Sequence, residues 1–390
     1  MRRRRSRNHD EASPLGSVFT KLAQLTLGAA IVLAAAEWGA GLAMGKIRDN
    51  RAAATPSLSD HDIVRMYGTD SPAAVRQMLA ETARMGEAAY SPLVEYGLRP
   101  FGGQYVSVSA DGYRGNGAPQ DLAAPGAKVF VFGGSTTFGM GVADAETLPA
   151  QLGEVLRTAG KDVQVFNFGA PSYYSTQERI VLERLLTAGV RPDLAIFVDG
   201  LSDFQLCAVP DRTAWSERLA EAAGVAARLP LTGELAARSN LLALGRWLIG
   251  DEPAEAPNRS DLCSSDAEVD KVIRRLDTNR RIISGMADRL GFKALFVQQP
   301  VPTFHYDNSK RAVPVDTERM AKHINSAKGY PRMEEMRAAG QLQADNVLWL
   351  AELEPAQGEA YVDTVHYSPR FNRTLAEVIG RAIVDGALLP

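Results

Sequence analysis

From residue 128 onward, short apolar segments of the chain alternate with longer amphipathic segments. The apolar segments predict strands at Lys128–Gly134, Val163–Gly169, Leu194–Gly200, Lys293–Gln299 and Asn346–Leu353. The others predict helices at Ala145–Ala159, Ser175–Ala188, Ala267–Leu290, Thr317–Ala339 and Pro369–Leu388. Continuous apolar strands between amphipathic helices indicate a parallel sheet that is covered on both faces. We therefore predict an α/β fold, a three-layer α/β/α sandwich, with ligands bound at the carboxyl ends of its strands.

The N-terminus combines a basic tail, residues 1–21, with an apolar stretch, residues 22–44. About 23 residues at about 1.5 Å each are enough to cross a bilayer core of roughly 30 Å. Glu37 is the single charged residue of this stretch, and the neighbouring Trp38 suits a membrane interface. The arginines of the tail predict a cytoplasmic N-terminus, a single-pass anchor in the cytoplasmic membrane and a periplasmic or extracellular body.

A cleaved signal peptide and a buried soluble helix are the alternatives to this transmembrane anchor. The apolar stretch is longer than a usual signal core and lacks a small-x-small end, which favours an uncleaved anchor. It also lacks the amphipathic period of a helix that packs on a soluble core.

Two further regions complete the predicted domain organisation. Residues 45–127 form a polar linker and an N-terminal extension, with a helical pattern from Ala73 to Ala89 and an alternating segment at Gln104–Ser109. Residues 128–390 form the main domain, interrupted at about 204–266 by a segment too long for a simple connection. Within this insertion, Ser216–Arg228 and Leu235–Leu248 have helical patterns.

The two cysteines, Cys207 and Cys263, lie close to the two ends of the insertion. In an exported domain they could form a disulfide, and two unpaired buried thiols are the alternative.

Charge and histidine spacing argue against two classes of partner. The net charge is −3 and the basic cluster is confined to the N-terminus, so the body lacks the electrostatic footprint of a nucleic-acid-binding protein. The histidines other than His366 show no spacing typical of metal ligands, and we expect no metal site. These are His9, His61, His305 and His323.

Three residues in two separate segments have the chemistry of a nucleophilic site. Ser135 directly follows the first predicted strand, and Asp363 precedes His366 by three positions near the C-terminus. A serine hydroxyl becomes a nucleophile when a histidine accepts its proton, and an aspartate can orient that histidine. Taken singly, Ser135 could instead belong to a phosphate-binding turn or a helix N-cap, and the Asp-x-x-His pair to a helix start.

Four separated blocks of sequence resemble the SGNH hydrolases, the GDSL-type esterases and lipases. The blocks are Phe132–Gly139, Asn167–Ala170, Asp199–Phe204 and Asp363–His366, in the order of the family. Gly134 stands where the better-known form of the family has Asp before the serine. An ordinary α/β-hydrolase would need Gly-x-Ser-x-Gly, which fails at Thr137.

The resemblance implies a flavodoxin-like five-stranded sheet and a triad of Ser135, Asp363 and His366 that needs no cofactor. It also implies oxyanion donors at the backbone of Ser135, the backbone of Gly169 and the side chain of Ser202. Ser202 stands where the family usually has Asn, whose side chain is the longer donor. We expect Asp203 to be structural.

By this resemblance the expected activity is a serine esterase that acts through an acyl-serine intermediate. Its ester substrate would be an O-acyl group on cell-envelope or exported polysaccharide, or a lipid ester. An O-acyltransferase with the same triad is one alternative. A polysaccharide-binding protein that keeps the fold but has weak catalysis is another.

Two other segments have open interpretations. The segment from Gln298 to Pro302 ends the fourth predicted strand and either lines the substrate pocket or forms a proline-stiffened loop. Tyr173 and Tyr174 either stack on a sugar or pack internally.

Overall fold

The computed structural model describes residues 14–54, 58–85, 89–206, 239–248, 263, 265–312, 320 and 323–389. The chain divides into two compact units, which are described separately. One unit comprises residues 1–57 with 219–254, and the other comprises residues 58–218 with 255–390. The helix predicted at Ser216–Arg228 lies outside the described residues.

The larger unit is built around a five-stranded sheet in which every pair of neighbouring strands is parallel. The strands of the described residues are β1 (Ala89–Ser91), β2 (Glu95–Gly97), β3 (Phe101–Gly102), β4 (Ser107–Val108), β5 (Ala127–Gly133), β6 (Val163–Asn167), β7 (Leu194–Asp199), β8 (Lys293–Gln298) and β9 (Val347–Trp349). The sheet order is β6-β5-β7-β8-β9, which is the flavodoxin-like order 2-1-3-4-5 of a doubly wound sheet. The predicted fold class is confirmed.

Helices cover both faces of this sheet. The α-helices of the described residues are α1 (Pro14–Ala54), α2 (Asp60–Tyr67), α3 (Pro72–Arg84), α4 (Ser135–Phe138), α5 (Leu148–Thr158), α6 (Ser175–Thr187), α7 (Asn240–Leu248), α8 (Asp266–Leu290), α9 (Ser326–Ala338) and α10 (Pro369–Asp385). Successive residues of a strand face opposite sides of a sheet, so neighbours enter different layers. Val129 and Val131 pack with α5 and α10, whereas Phe130 and Phe132 pack with α6 and α8.

The last strand and the helix before it are shorter than predicted. Helix α9 begins at Ser326 rather than at Thr317, which itself lies outside the described residues. Strand β9 begins after Asn346, whose φ of +56° is left-handed and interrupts an extended conformation. Beyond it, the Leu353 N–H donates to the Leu350 carbonyl at 2.9 Å, which closes a turn and ends the strand.

Within the larger unit, α2, α3 and two short hairpins of the N-terminal extension pack on the main domain. The Glu81 carboxylate of α3 accepts the N–H groups of Gln104, Tyr105 and Val106 at 3.1, 2.8 and 3.3 Å. Within the alternating segment predicted at Gln104–Ser109, only Ser107–Val108 forms a strand. The backbone N–H groups of the three residues before it donate to the Glu81 carboxylate and not to a neighbouring strand.

The smaller unit contains the long helix α1. Residues Lys21–Lys46 within α1 are long and apolar enough to cross a membrane, with a mean hydropathy of 1.6. A signal sequence would pass the same test of length and composition.

In the same unit, Glu37 of α1 meets the start of α7. Its carboxylate accepts the Ser239 hydroxyl at 2.8 Å, the Leu241 N–H at 3.1 Å and the Asn240 N–H. These backbone groups belong to the first turn of α7, where the helix itself supplies no acceptor. The charge of Glu37 is therefore paired with a helix N-terminus.

Candidate active site

The nucleophile position lies in a sharp turn from β5 into α4. Gly133 ends the strand with a φ of +157°, and a Cβ there would overlap the side chain of Thr137. Ser135 is the first residue of α4, so its N–H group has no acceptor within the helix. This turn brings both the hydroxyl and the N–H of Ser135 to the carboxyl edge of the sheet.

The base and its orienting carboxylate lie in a loop that precedes α10. An antiparallel bridge joins Tyr361 to Tyr367, and the Val362 N–H donates to the His366 carbonyl at 2.9 Å. Within this loop, Asp363 Oδ1 accepts the N–H groups of Val365 at 3.0 Å and His366 at 2.9 Å. The carboxylate of Asp363 thus closes a tight turn, and this turn explains why Asp363 and His366 are three positions apart.

The structure brings the three predicted catalytic residues into one chain of hydrogen bonds. His366 Nε2 lies 2.8 Å from Ser135 Oγ, and His366 Nδ1 lies 2.6 Å from Asp363 Oδ2. An ionised carboxylate only accepts, so Nδ1 carries the proton and Nε2 is left to accept from the serine hydroxyl. This is the geometry that a serine nucleophile with a histidine base requires.

Asp363 stays ionised in this arrangement. Desolvation acts against the charged form, but the Asp363 side chain is about half exposed, and the charge of His366 with the hydrogen bonds from its ring and from the backbone outweighs this effect. The result is a pKa of about 2 for Asp363. The carboxylate is therefore available to hold the imidazole and to stabilise its protonated form at neutral pH.

The expected donation of the Gly169 N–H to an oxyanion is wrong. This N–H donates to Asn167 Oδ1 at 3.0 Å, and Gly169 packs against the backbone of α4 so closely that a Cβ would overlap Phe138. The side chain of Asn167 turns back to the main chain two residues ahead and occupies the donor. Gly169 is needed for close packing behind the nucleophile rather than for contact with a substrate.

Ser202 lies beside the nucleophile turn. A Cβ placed on Gly134 would be 2.6 Å from Ser202 Oγ and 3.2 Å from the Tyr173 carbonyl oxygen. The side chain of Ser202 is 93% buried, with a relative exposure of 7%. Its hydroxyl is thus close to the backbone that leads into Ser135, which is compatible with the expected role of a short third donor.

Two residues that sequence reasoning gave no role hold the nucleophile turn from behind. Asn167 Nδ2 donates to the Thr137 carbonyl at 3.1 Å and to the Phe138 carbonyl at 3.3 Å. Arg114 of the extension is fully buried, donates to the carbonyls of Phe138 and Val142 and pairs with Asp144 at 2.9 Å. Arg114 lies between two Gly-rich turns in the sequence. This position gives only a weak indication of its role, because the carbonyl groups that it binds follow about 25 residues later.

The segments with open interpretations prove to be internal. Gln298 and Gln299 are buried, and so are Tyr173 and Tyr174, so none of these side chains offers a free surface to a sugar. The Tyr173 hydroxyl donates to the Tyr96 carbonyl, and the Arg275 guanidinium lies 5.1 Å above the ring of Tyr174.

Acidic side chains lie buried below the site. Asp203 accepts the Ser175 hydroxyl at 2.6 Å. Asp199 and Glu178 form a hydrogen-bonded pair, and burial raises the pKa of both, that of Asp199 to about 6. These two carboxyl groups sit beneath the nucleophile edge and do not belong to the triad.

Cys263 is buried and disulfide-bonded. Cys207 lies outside the described residues, so the pairing of these two cysteines stays a prediction. Among the residues that the structure describes, no group of three or more His, Cys, Asp or Glu side chains is arranged to hold a metal ion.

Comparisons with known proteins give weak structural likenesses. No protein-family model and no curated protein matches the sequence. Solved structures similar to this chain include a member of the lipolytic G-D-S-L family from Veillonella parvula, with 10% identity, a TM-score of 0.36 and coverage of 68% of this chain and 100% of that chain. A lipase/acylhydrolase from Enterococcus faecalis has 19% identity, a TM-score of 0.33 and coverage of 68% and 98%. A carbohydrate acetylesterase family member from Sinorhizobium meliloti has 15% identity, a TM-score of 0.33 and coverage of 67% and 99%.

The chain's own strand order is the flavodoxin-like order that the sequence resemblance implies. The chain has the α/β fold expected of an SGNH hydrolase. Its chemistry follows from its own side chains.

Proposed function

We propose that this protein is a serine ester hydrolase. The observation that carries the proposal is the hydrogen-bond chain from Ser135 Oγ through His366 to Asp363, with distances of 2.8 and 2.6 Å. A serine used only as a helix cap or an anion-binding group needs no imidazole on its hydroxyl. An oriented base at that position serves proton removal.

The acylation step uses each of these groups once. Ser135 Oγ attacks the carbonyl carbon of the ester while His366 Nε2 takes the hydroxyl proton. The carbonyl oxygen becomes an oxyanion, for which the Ser135 N–H and the Ser202 hydroxyl are the candidate donors. When the tetrahedral intermediate collapses, the bond to the alcohol oxygen breaks and His366 gives its proton to the leaving alcohol.

Deacylation repeats the sequence with water. His366 Nε2 takes a proton from a water molecule, whose oxygen attacks the carbonyl carbon of the acyl-serine. Collapse of the second intermediate returns the proton to Ser135 Oγ and releases the acid. Asp363 stays ionised throughout and stabilises the imidazolium that forms in each half-reaction.

For the substrate we propose an O-acyl group on an envelope or exported polysaccharide, or a lipid ester. The membrane-anchor proposal supports this choice, because it would hold the site close to the cell envelope. An acceptor hydroxyl in place of water would make the same triad an O-acyltransferase.

The decisive experiment is covalent labelling of the full chain, solubilised in detergent, with a fluorophosphonate probe. We expect the label on Ser135, and we expect Ser135→Ala to abolish both labelling and ester turnover. The matched control is Ser309→Ala, which removes the hydroxyl of an exposed serine outside the triad. Product analysis on acetylated sugars and lipid esters, with and without a sugar acceptor, then separates hydrolysis from transfer.

The absence of labelling and turnover in the folded wild type would reject the hydrolase. It would favour the polysaccharide-binding alternative. The occupied Gly169 N–H and the short side chain of Ser202 agree with weak catalysis.

We also propose that α1 remains in the mature protein as a membrane anchor. Glu37 lies inside its apolar stretch and caps α7, a helix from a segment about 200 residues later in the chain. A signal peptide that is removed has no use for a specific carboxylate partner in the mature chain. A charged residue in a membrane segment is costly unless it is paired, and α7 supplies the pairing.

A further inference from the structure

We propose that Gln299 is a positioning residue that sets the distance between nucleophile and base. The inference rests on the proposed hydrolase, and it concerns a side chain that makes no hydrogen bond to Ser135 or His366. Gln299 instead binds the residues that immediately follow them, Thr136 and Tyr367. One buried amide thus joins the two loops whose convergence creates the triad.

The amide nitrogen of Gln299 serves both loops. Nε2 lies 3.2 Å from Thr136 Oγ1 and 2.9 Å from the Tyr367 hydroxyl oxygen. The Tyr367 hydroxyl donates its one proton to the Pro300 carbonyl at 2.7 Å, so it must accept from the amide. This requirement identifies the atom facing Tyr367 as Nε2, whose two N–H groups then point to the two hydroxyls.

Gln299 is itself held firmly at the carboxyl edge of the sheet. Its N–H donates to the Asp199 carbonyl at 3.0 Å, and its carbonyl accepts the Tyr330 hydroxyl at 2.8 Å. Thr136, Gln299 and Tyr367 are each about 98% buried, with a relative exposure of 2%. Water therefore does not compete for these hydrogen bonds. The amide of Gln299 thus fixes the positions of both loops relative to each other.

Gln299 can affect catalysis because the two residues that it binds are adjacent in sequence to Ser135 and His366. A shift of Thr136 moves Ser135, and a shift of Tyr367 moves His366. A misplacement of reacting groups by about 1 Å can cost about 10²-fold in rate, although the residue that causes it lies outside the chemistry. Loss of the amide should therefore slow the proton transfer while leaving the substrate contacts in place.

The adjacent Gln298 provides a matched control. It has the same side chain on the same strand end and is completely buried, but its Oε1 accepts from Arg280 at 3.0 Å, on the other face. Gln298→Met and Gln299→Met each remove one buried amide at similar volume. Of the two variants, only Gln299→Met removes the hydrogen bonds to both Thr136 and Tyr367.

The test compares these two variants in the detergent-solubilised full chain, with kcat, KM, the rate of fluorophosphonate labelling and the thermal midpoint. We expect Gln299→Met to lower kcat and the labelling rate by about 10- to 100-fold, with KM changed less than about threefold. Gln298→Met should lower the thermal midpoint to a similar degree while kcat stays within about threefold of the wild type.

Tyr367→Phe keeps the ring and removes the hydroxyl, so it tests the connection even if Gln299→Met folds poorly. It should lower kcat as well, and its effect should be smaller in the Gln299→Met background, because the two changes share the Gln299–Tyr367 bond while only Tyr367→Phe also removes the bond to the Pro300 carbonyl. Equal kcat values for Gln299→Met and Gln298→Met, or an unchanged kcat for Tyr367→Phe, would overturn the positioning role while leaving the hydrolase intact. A wild type that neither labels nor turns over would end both proposals.

Discussion

Nε2 of His366 lies 2.8 Å from Oγ of Ser135, although 231 positions of the sequence separate the two residues. The contact exists because the turn after β5 and the loop before α10 converge at the carboxyl edge of one sheet. The proposed nucleophile and base thus come from segments near the beginning and the end of the main domain's sequence.

The first prediction concerns the tautomer of His366. Asp363→Asn keeps the shape of the carboxylate but places a donor or a weaker acceptor against Nδ1, which favours the wrong tautomer for accepting the Ser135 proton. We expect kcat to fall by about 10⁴-fold with little change in KM. Steady-state kinetics on an activated ester will measure it, with Asp162→Asn at an exposed position as the control. A loss of less than about tenfold would exclude Asp363 from the role of orienting group.

The second prediction concerns the donor at Ser202. If its hydroxyl faces the oxyanion, Ser202→Ala should lower kcat by about 10²-fold, because the donor acts in the transition state rather than on the bound ester. Ser202→Asn should raise kcat above the wild type by restoring a longer donor. The measurement is kcat and KM on one good ester. A Ser202→Asn variant slower than the wild type would mean that the pocket is built around the shorter side chain.

The third prediction concerns pH and the buried pair of Asp199 and Glu178. Burial raises the pKa of Asp199 to about 6, above the value of about 3.9 for an unfolded chain. Between these two values the native protein keeps a proton that the unfolded chain has released, so stability falls as the pH rises through this window. Asp199→Asn has no such proton to lose.

Thermal midpoints of the wild type and Asp199→Asn from pH 4 to pH 7 will check this third prediction. The wild type should lose stability relative to the variant as the pH increases. A difference between the two midpoints that is independent of pH would show that Asp199 is already ionised at pH 4. Asp162→Asn serves as the control for an exposed carboxylate.

The fourth prediction concerns retention of α1. Protein purified from membranes should have an intact mass that includes residues 1–46, because Glu37 has a specific partner at the start of α7. A mature chain that begins after residue 44 would identify a signal peptide instead. Ser239→Ala removes one of the three hydrogen bonds to Glu37 and should leave the mass unchanged, since the apolar stretch has no small-x-small end for a signal peptidase to cut.

The fifth prediction concerns topology. The arginines before the apolar stretch favour a cytoplasmic N-terminus, so a reporter fused to the C-terminus should be active outside the cytoplasm. Alkaline phosphatase, which needs export, and green fluorescent protein, which needs the cytoplasm, form a matched pair of reporters. Fluorescence without phosphatase activity would reverse the orientation.

The sequence by itself determined the sheet and the three residues that meet in one hydrogen-bond chain at its edge. Strands such as Leu194–Asp199 are buried on both faces, so a continuous apolar run predicts them without knowledge of their neighbours. The meeting of these three residues was likewise predictable, because Ser135 lies just after a strand and Asp363 and His366 belong to one local turn. The boundaries were less accurate where a local conformation interrupts the pattern, as the left-handed Asn346 does at β9.

Only the tertiary structure decided which donors and supports the site uses. The N–H of Gly169 is free or occupied according to the rotamer of Asn167, which no sequence pattern records. Gln299 binds Tyr367, which lies 68 positions away in the sequence, and Arg114 binds the carbonyl of Phe138, 24 positions away. Contacts of this kind depend on how separate loops converge at the sheet edge. A periodic pattern encodes which face of an element is buried, but not which buried polar group it finds there.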